Sequence, residues 1–488
     1  MPDDAYPNPA TEGLAALEAR LARDLALLNL PPKPWVPETP FAQGELLDIV
    51  VIGAGLNGLC VAAALRFLGI TRVVVLDRAL AGVEGPWVTT ARMRTLRTAK
   101  EVAGPALGVP SLTFRAWFEA QFGAAAWAAM ERIPRVMWMD YMVWYRRVLD
   151  LPVRNGVSVT DILAGEDAPV RLAVEQDGRP GVIHARGVVL ATGIDGLGGP
   201  AIPAALRELP RRFWAHSSEE IDIAALAGKR VCVVGAGASA MDNAAVALEA
   251  GAARVDLLIR RAEMPRIDKF TGVGSKGMAH GFMGLPMADK WRMFRYGNAV
   301  QLPAPQQSVR RVSRHANARF LFGCPIEAAW EEAGAIRVVT PRGRLRLDFI
   351  ILATGFAIAP ETRPELRSIA PHIRRWADSY APPAEERDEG LAASPDLGPG
   401  FELQERVPGE CPGLSRIACF TFPAVLSHGK LTSGIPSVSE GARRVAEAMA
   451  RRLFVEDRAR MMQRFLDYDV AELKGDEWQP YTGPIDEE

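Results

Sequence analysis

Two glycine runs, GAGLNG at 53–58 and GAGASA at 235–240, constrain this chain more than any other feature, because each stands between an apolar run and a helix-like apolar stretch. LLDIVVI begins at Leu46, NGLCVAAALRFLG ends at Gly69, and TRVVVLD supplies a second strand. The order is strand, turn, helix, strand. From Lys229 it recurs as KRVCVVG, GAGASA, MDNAAVALEAG and ARVDLLIRR. The pattern predicts an α/β fold with two dinucleotide-binding, Rossmann-like domains.

Each glycine has a physical task. Gly53 permits the tight turn, Gly55 lets the backbone approach a pyrophosphate, and Gly58 permits close contact between helix and strand. The diphosphate is expected on the free N–H groups of the helix start. In the second run Gly235 and Gly237 take the first two tasks, and Ala240 is small enough for the third. Ser239 lies in the same turn.

The strand ends differ, and the difference selects the cofactors. Asp77 closes the first unit 19 residues after Gly58, where its carboxylate can accept hydrogen bonds from a ribose diol. Arg78 beside it is a further cofactor-side candidate. The second unit ends on Arg260 and Arg261, and Asp256 stands too early in its strand to bind a ribose. A guanidinium holds a 2′-phosphate bidentately where a carboxylate would repel it. The first site therefore suits FAD and the second NADPH; the other reading of the arginine pair is a solvated strand end.

VVLATG at 188–193 and IILATG at 350–355 each end a strand and flank the second unit. The NADPH domain is thus expected to be inserted into the FAD domain, with these segments as crossovers. The expected division is an N-terminal helix and proline-rich arm (1–44), a first FAD part (45–222), the NADPH domain (223–345) and a second FAD part (346–488). GVSVTDIL, VRLAVEQ and GVIHARGVVLATG alternate as a small antiparallel crossover sheet should, with DGRP as a hairpin turn. Residues 14–28 read as an amphipathic helix, PPKPWVPETP as an extended surface arm, and 437–454 as a helix beginning near a Ser cap, its small-residue face on the first domain.

Composition excludes other classes. At 488 residues one core is not the default. Lys and Arg number 57 against 58 Asp and Glu, a net charge of -1, so the basic footprint of a general nucleic-acid binder is missing. No run approaches the ~20 apolar residues of a membrane span. The start, MPDDAYPNPA, does not read as a secretory signal, and a cytoplasmic location is the expectation. Cys60, Cys232, Cys324, Cys411 and Cys419 form no CxxC pair, and no metal site is expected. Cys60 and Cys232 read as buried small hydrophobes.

With these motifs in hand, the sequence resembles the class B flavoprotein monooxygenases, the group of flavin-containing, N-hydroxylating and Baeyer–Villiger monooxygenases. The resemblance runs from about Leu46 to Leu453. It rests on both glycine runs, on GAGASAMD with Ser239 and Asp242, on LATGF at 352–356, and on EGPWVTTARMRTL, where Gly85 and Trp87 match a GGxW element. It implies FAD reduction by NADPH, a C4a-(hydro)peroxyflavin formed with O₂, and oxygen transfer to a small-molecule substrate at N, S or a ketone. FWAHSSEEID, with Phe213 and His216, stands where the family has FxGxxxHxxxW, and its departures favour heteroatom over Baeyer–Villiger oxygenation.

Three residues are carried as catalytic candidates: Arg97, His216 and His428. Arg97, among Arg92, Arg94 and Lys100, would stabilise a peroxyflavin anion or hold a substrate carboxylate, or else face a phosphate or the surface. His216 would orient the linker near NADP⁺. His428, within Ser427, Gly429 and Lys430, would reach the flavin, or be a buried structural histidine. Trp87, Thr354 and Gly355 are placed near FAD, and Lys269 and Lys276 near the 2′-phosphate. Segments 137–145 and 278–296, rich in Met and aromatic residues, would keep the flavin dry or serve as inter-domain packing. An NADPH oxidase or reductase without oxygen insertion and a non-catalytic nucleotide-binding protein are the competing accounts, and a homodimer is a further expectation.

Overall fold

The computed structural model describes residues 13–165, 169–432 and 434–485; the acidic start lies outside them. The first lobe is built on β1 (Leu46–Ile52), followed by α2 (Leu56–Phe67) and β2 (Val73–Asp77), after an N-terminal α1 (Gly13–Leu27). Every residue of β1 is buried, as befits a parallel strand covered on both faces. Parallel pairing continues through β3 (Val153–Asn155) on one side and the long β6 (Arg179–Leu190) on the other, with β12 (Ile417–Cys419) beyond. Ile52 is level with both Leu76 and Leu190, so the segments leaving these three strands emerge at one edge.

The amino half of β6 belongs to a different environment. It pairs antiparallel with β5 (Val170–Gln176), which pairs with β4 (Val157–Leu163), giving the expected crossover meander as an extension of the main sheet. Asp177 and Gly178 both hold positive φ, 51° and 71°, between paired Gln176 and Arg179, the backbone of a type I′ hairpin.

The second lobe is a five-stranded parallel sheet: β10 (Ala318–Phe322), β9 (Arg254–Ile259), β8 (Arg230–Val234), β11 (Phe349–Leu352) and β7 (Trp214–His216). Helix α5 (Ala238–Glu249) follows β8, and α7 (Gln306–Ser313) packs against it. This corrects two expected boundaries: β7 and β11, assigned from sequence to the two FAD parts, hydrogen-bond into the second sheet. An apolar strand next to a domain crossover has the same composition whichever sheet it joins.

The two connections between lobes run side by side. Residues 198–200 pair antiparallel with 356–358, and Ala201 N–H donates to the Gly355 carbonyl at 2.9 Å. A further excursion leaves the second lobe after β9. Its helix α6 (Met287–Val300) packs Trp291 and Phe294, with Phe282, against Trp376, Leu391, Val425 and Leu426 of the first lobe. The stretch 267–300, numbered within the expected NADPH domain, therefore packs on the FAD part.

Helices α3 (Phe114–Ala129) and α4 (Arg135–Val148) cover the first sheet with a dense aromatic cluster that includes Phe114, Trp138 and Tyr141. Helix α1 buries Leu17 and Leu21 against α3. The proline-rich arm lies along the body, with Trp35 Nε1 donating to Leu68 O at 2.7 Å. Helix α8 (Val438–Glu456) turns Gly441, Ala442, Val445 and Ala446 inward and packs on α2, as its small-residue pattern predicts. Ser437 does not cap it through its side chain; its hydroxyl donates to Lys430 O instead. A last helix, α9 (Arg458–Asp467), has no buried residue. No helix among the described residues is long and apolar enough to cross a membrane.

Candidate functional site

In the first loop Gly53 has φ +104°, and a Cβ there would lie 2.6 Å from Ala191 O. A Cβ on Gly58 would lie 1.8 Å from Gly53 O. The chain itself therefore demands glycine at both positions. Gly55, the residue before α2, is different: its φ is -72°, and a Cβ would meet nothing within 4 Å. Protein packing does not explain it, whereas a phosphate laid against the helix start does. Asp77 accepts from Ala54 N–H at 2.7 Å and from Ala79 N–H at 2.8 Å, so it braces the loop at the edge where a ribose would meet it. Arg78 is exposed beside it.

The second loop repeats this geometry. Gly235 has φ +134° and would place a Cβ 2.6 Å from Ala353 O; Gly237 again faces open space; Ala240 is fully buried. Ser239 is exposed and its carbonyl accepts from Asn243 Nδ2 at 2.8 Å. The comparison corrects one expectation. Ala353, with Thr354 and Gly355, borders the second loop, where Thr354 Oγ1 donates to Ala201 O at 2.5 Å. The segment bordering the first loop is Ala191, Thr192 and Gly193.

The arginine pair divides. Arg261 donates to the carbonyls of Ala299 (2.7 Å) and Asn298 (3.4 Å) and to Gln301 Oε1 (3.1 Å), closing the C-terminus of α6. Arg260 is exposed and makes no hydrogen bond or ion pair among the described residues. Of the two, it has the guanidinium at liberty for a phosphate. Lys276 is paired with Glu440, and Lys269 lies 5.8 Å from the Tyr296 ring centroid.

The arginines after Trp87 face the second lobe. Arg92 donates to Ser217 O and Glu219 O, both at 2.8 Å; Arg94 pairs with Glu249 at 3.2 Å; Arg97 lies 3.7 Å from Asp242. Asp242 is buried on α5 and also accepts from Ser308 Oγ at 2.7 Å. Arg97 is thus spent on holding the coenzyme-loop helix, which corrects its assignment to an oxygen intermediate or substrate carboxylate. The sequence places its partner 145 positions away, beyond any local pattern.

His428 is also corrected. It is fully buried, stacked on Phe401 at 3.6 Å, with Nε2 against Gly398 O at 2.9 Å and Nδ1 against Arg444 at 3.3 Å. Burial drives its pKa down to about 3. A neutral imidazole that donates through Nε2 to Gly398 O and accepts at Nδ1 from Arg444 holds the fold and stays uncharged at neutral pH. His216 is buried as well, but only Nδ1 is satisfied, at 2.7 Å from Ser218 Oγ. Its Nε2 has no hydrogen-bond partner among the described residues, and its ring meets Phe356 of the inter-lobe ribbon edge-on. Burial lowers its pKa too.

A groove of about 380 Å³ opens from the first loop, lined by Gly55, Leu56, Trp87, Met139, Met142 and Arg146. Glu84 forms part of its floor, accepting from Arg146 Nη1 and Asn155 Nδ2, each at 2.7 Å. Sequence reasoning missed this triad, whose members carry no spacing signal; of the two dry segments it offered, 137–145 lines the groove and 278–296 seals the lobe junction. Asn57 Nδ2 donates to Phe420 O (3.1 Å) and Thr432 O (3.3 Å), bringing the C-terminal segment across the start of α2. The buried Thr432 hydroxyl has no partner among the described residues. An open cradle at Gly55, a groove continuing from it and an orphaned hydroxyl fit an extended dinucleotide. The five cysteines are unpaired and buried, with burial pushing Cys60 up to about 12 and Cys419 to about 11. No metal-binding group of side chains occurs among the described residues.

Known proteins share this arrangement. A family model described as L-lysine 6-monooxygenase/L-ornithine 5-monooxygenase matches residues 45–302. A protein of Xanthomonas campestris pv. campestris named FAD-dependent urate hydroxylase is 40% identical over 482 residues, covering 96% of this chain and 98% of that one. The ornithine hydroxylase of Pseudomonas aeruginosa superposes with a TM-score of 0.66 at 17% identity, over 84% of this chain and 100% of that one. The L-lysine 6-monooxygenase of Pseudomonas syringae gives 0.63 at 19%, over 83% and 99%. At such identities these two structures speak for the fold.

Proposed function

The chain belongs to the class B flavoprotein monooxygenases of the lysine and ornithine N-hydroxylating family, and on that premise we propose that its substrate is urate or a closely related oxopurine. It is an FAD- and NADPH-dependent monooxygenase that uses O₂ and a small organic substrate. The observation that carries the substrate class is the 40% identity to a urate hydroxylase along nearly the whole of both chains. The two amine hydroxylases superposed above stand at less than half that identity.

The geometry supports the following roles. FAD would lie on Gly53, Gly55 and Gly58, with its ribose at Asp77 and its length in the groove under Trp87, Met139 and Met142. NADPH would lie on Gly235, Gly237, Ser239 and Ala240, with Arg260 at the 2′-phosphate. When bound, the flavin accepts electrons from NADPH, activates O₂ and delivers one oxygen atom to the substrate. The protein's part is to align the two nucleotides, hold α5 through Arg97 and Asp242, and keep water out. His216, wedged against Phe356, would set the position of the ribbon between lobes.

The test is oxygen bookkeeping. Under labelled O₂, one labelled oxygen should enter the product for each NADPH consumed with urate, and ornithine, lysine and cadaverine should leave NADPH oxidation uncoupled. The second reading, N-hydroxylation of a small amine, is favoured by the family model and would be established by the reverse pattern. Peroxide as the sole oxygen product with every substrate would mean an oxidase. A cytoplasmic location belongs to the same proposal, supported by unpaired thiols and the need for NADPH.

We propose further that two copies associate through their C-terminal ends. Phe465, Leu466, Tyr468 and Tyr481 are each at least 66% exposed, large apolar and aromatic side chains of the kind that interfaces bury. Charge supports a second copy as the occupant: α9 carries Arg458, Arg460 and Arg464, and the stretch after it carries Asp469, Glu472, Asp476 and Glu477. Arg460 and Arg464 also hold the proline-rich arm through Glu38 O, Thr39 Oγ1 and Trp35 O, and the acidic stretch of a second copy would add to those contacts. Light scattering should give twice 53.0 kDa, falling to 53.0 kDa in the Phe465→Glu, Leu466→Glu double variant. A single-chain mass for the unaltered protein overturns the idea.

A further inference from the structure

We propose that Lys430, held over Phe270, forms the subsite that receives the negative charge of the substrate ring, an inference that rests on the oxopurine reading above. The Lys430 ammonium lies 4.0 Å from the Phe270 ring centroid and is half-buried. It donates to no oxygen among the described residues. Other withdrawn lysines are satisfied: Lys290 donates to Met283 O at 2.7 Å, and Lys100 to Trp127 O and Met130 O at 2.7 and 2.6 Å. Asp268, an acidic group acting on Lys430, turns one oxygen to Phe270 N–H at 2.9 Å and makes no salt bridge with the lysine. A cation taken from water without an anion or acceptor is costly, and an aromatic face offsets only part of that cost.

The position of Lys430 suits a ligand. Two residues on, Thr432 O receives the Asn57 side chain from the first glycine loop. One residue back, Gly429 has φ +73° and packs so closely on Phe282 that a Cβ would lie 3.0 Å from that ring. Phe270 and Phe282 both belong to the excursion that begins beyond Arg260. Lys430 therefore stands at the seam where the flavin-side loop meets the segment arriving from the coenzyme lobe. Burial also pulls its pKa down, so a bound anion would restore charge that the site by itself disfavours.

Urate at neutral pH is a flat monoanion with its charge spread over ring nitrogens and oxygens. An ammonium with three donors, held in place by the Phe270 ring beneath it, neutralises it directly. The same ammonium repels cadaverine, a dication with no carboxylate to offer it, so one residue both attracts the oxopurine and disfavours a diamine.

The experiment uses the FAD-loaded full chain. Calorimetric titration with urate should show Kd raised at least tenfold in Lys430→Met and largely restored in Lys430→Arg, and steady-state assays should show the loss in KM more than in kcat. Flavin content and melting temperature of each variant report whether it folds. If the unaltered enzyme couples NADPH oxidation to urate and Lys430→Met binds urate as tightly as it does, the subsite is refuted while the substrate stands. If the unaltered enzyme neither binds nor oxidises urate, both fall together.

Discussion

Arg97 reaches across the seam between lobes to lie 3.7 Å from the buried carboxylate of Asp242. Asp242 stands on α5, one turn beyond the loop expected to carry the NADPH pyrophosphate, so this pair transmits the position of the flavin lobe to the coenzyme. The arginine is partly exposed, and such a pair contributes up to about 1 kcal/mol. Arg97→Met should therefore slow flavin reduction roughly fivefold at subsaturating NADPH while flavin content stays unchanged. Anaerobic stopped-flow reduction checks this, and an unaltered rate would count against the clasp.

The division of labour at the end of β9 predicts an asymmetry between neighbours. Arg260→Ala should raise the KM for NADPH about 10- to 100-fold, the worth of a charge-assisted phosphate contact, and leave the KM for NADH nearly unchanged. Arg261→Ala should instead lower the melting temperature, because it uncaps α6. Equal effects of both variants on coenzyme preference would show that the arginines act together.

Two glycines of one loop should fail in opposite ways. Gly58→Ala drives a methyl against Gly53 O and should destabilise even the flavin-free protein by several kcal/mol. Gly55→Ala meets no protein atom, so thermal melting of the flavin-free protein should scarcely change, while FAD affinity, measured by equilibrium dialysis, should fall at least tenfold. Unchanged affinity in Gly55→Ala would remove the cradle.

His428 gives a pH signature. Its folded pKa of about 3 lies below the ordinary 6.5, so the unfolded chain binds the extra proton between these values. Its contribution is complete above pH 6.5 and is lost progressively as pH falls toward 3. In that window the unfolding free energy should decline by about 1.4 kcal/mol per pH unit on this residue's account. His428→Gln should remove that part of the slope in denaturant titrations, and an identical slope would show that the imidazole titrates normally.

The glycine loops, Asp77, the I′ hairpin at Asp177 and the inward face of α8 were legible because each is a local pattern whose spacing is set by backbone geometry. The corrected assignments share the opposite property. ATG occurs at 191–193 and again at 353–355, and nothing within those three letters says which sheet the preceding strand joins. Arg97 and Arg261 were recognisable as cations, but what a cation does depends on the nearest acceptor, and theirs come from distant turns of chain. His428 was conspicuous as a rare residue in an apolar stretch, the setting in which burial also silences it. Lys430 was noticed only as its neighbour, since one lysine carries no period.

The excursion through α6 has a mechanical consequence. The coenzyme lobe is stitched to its partner along two seams, the paired ribbon and the packed excursion, and a body sewn on two sides cannot gape. A swing of that lobe as a rigid body would have to part the 198–200/356–358 pairing and pull Trp291 and Phe294 away from Trp376 and Leu426.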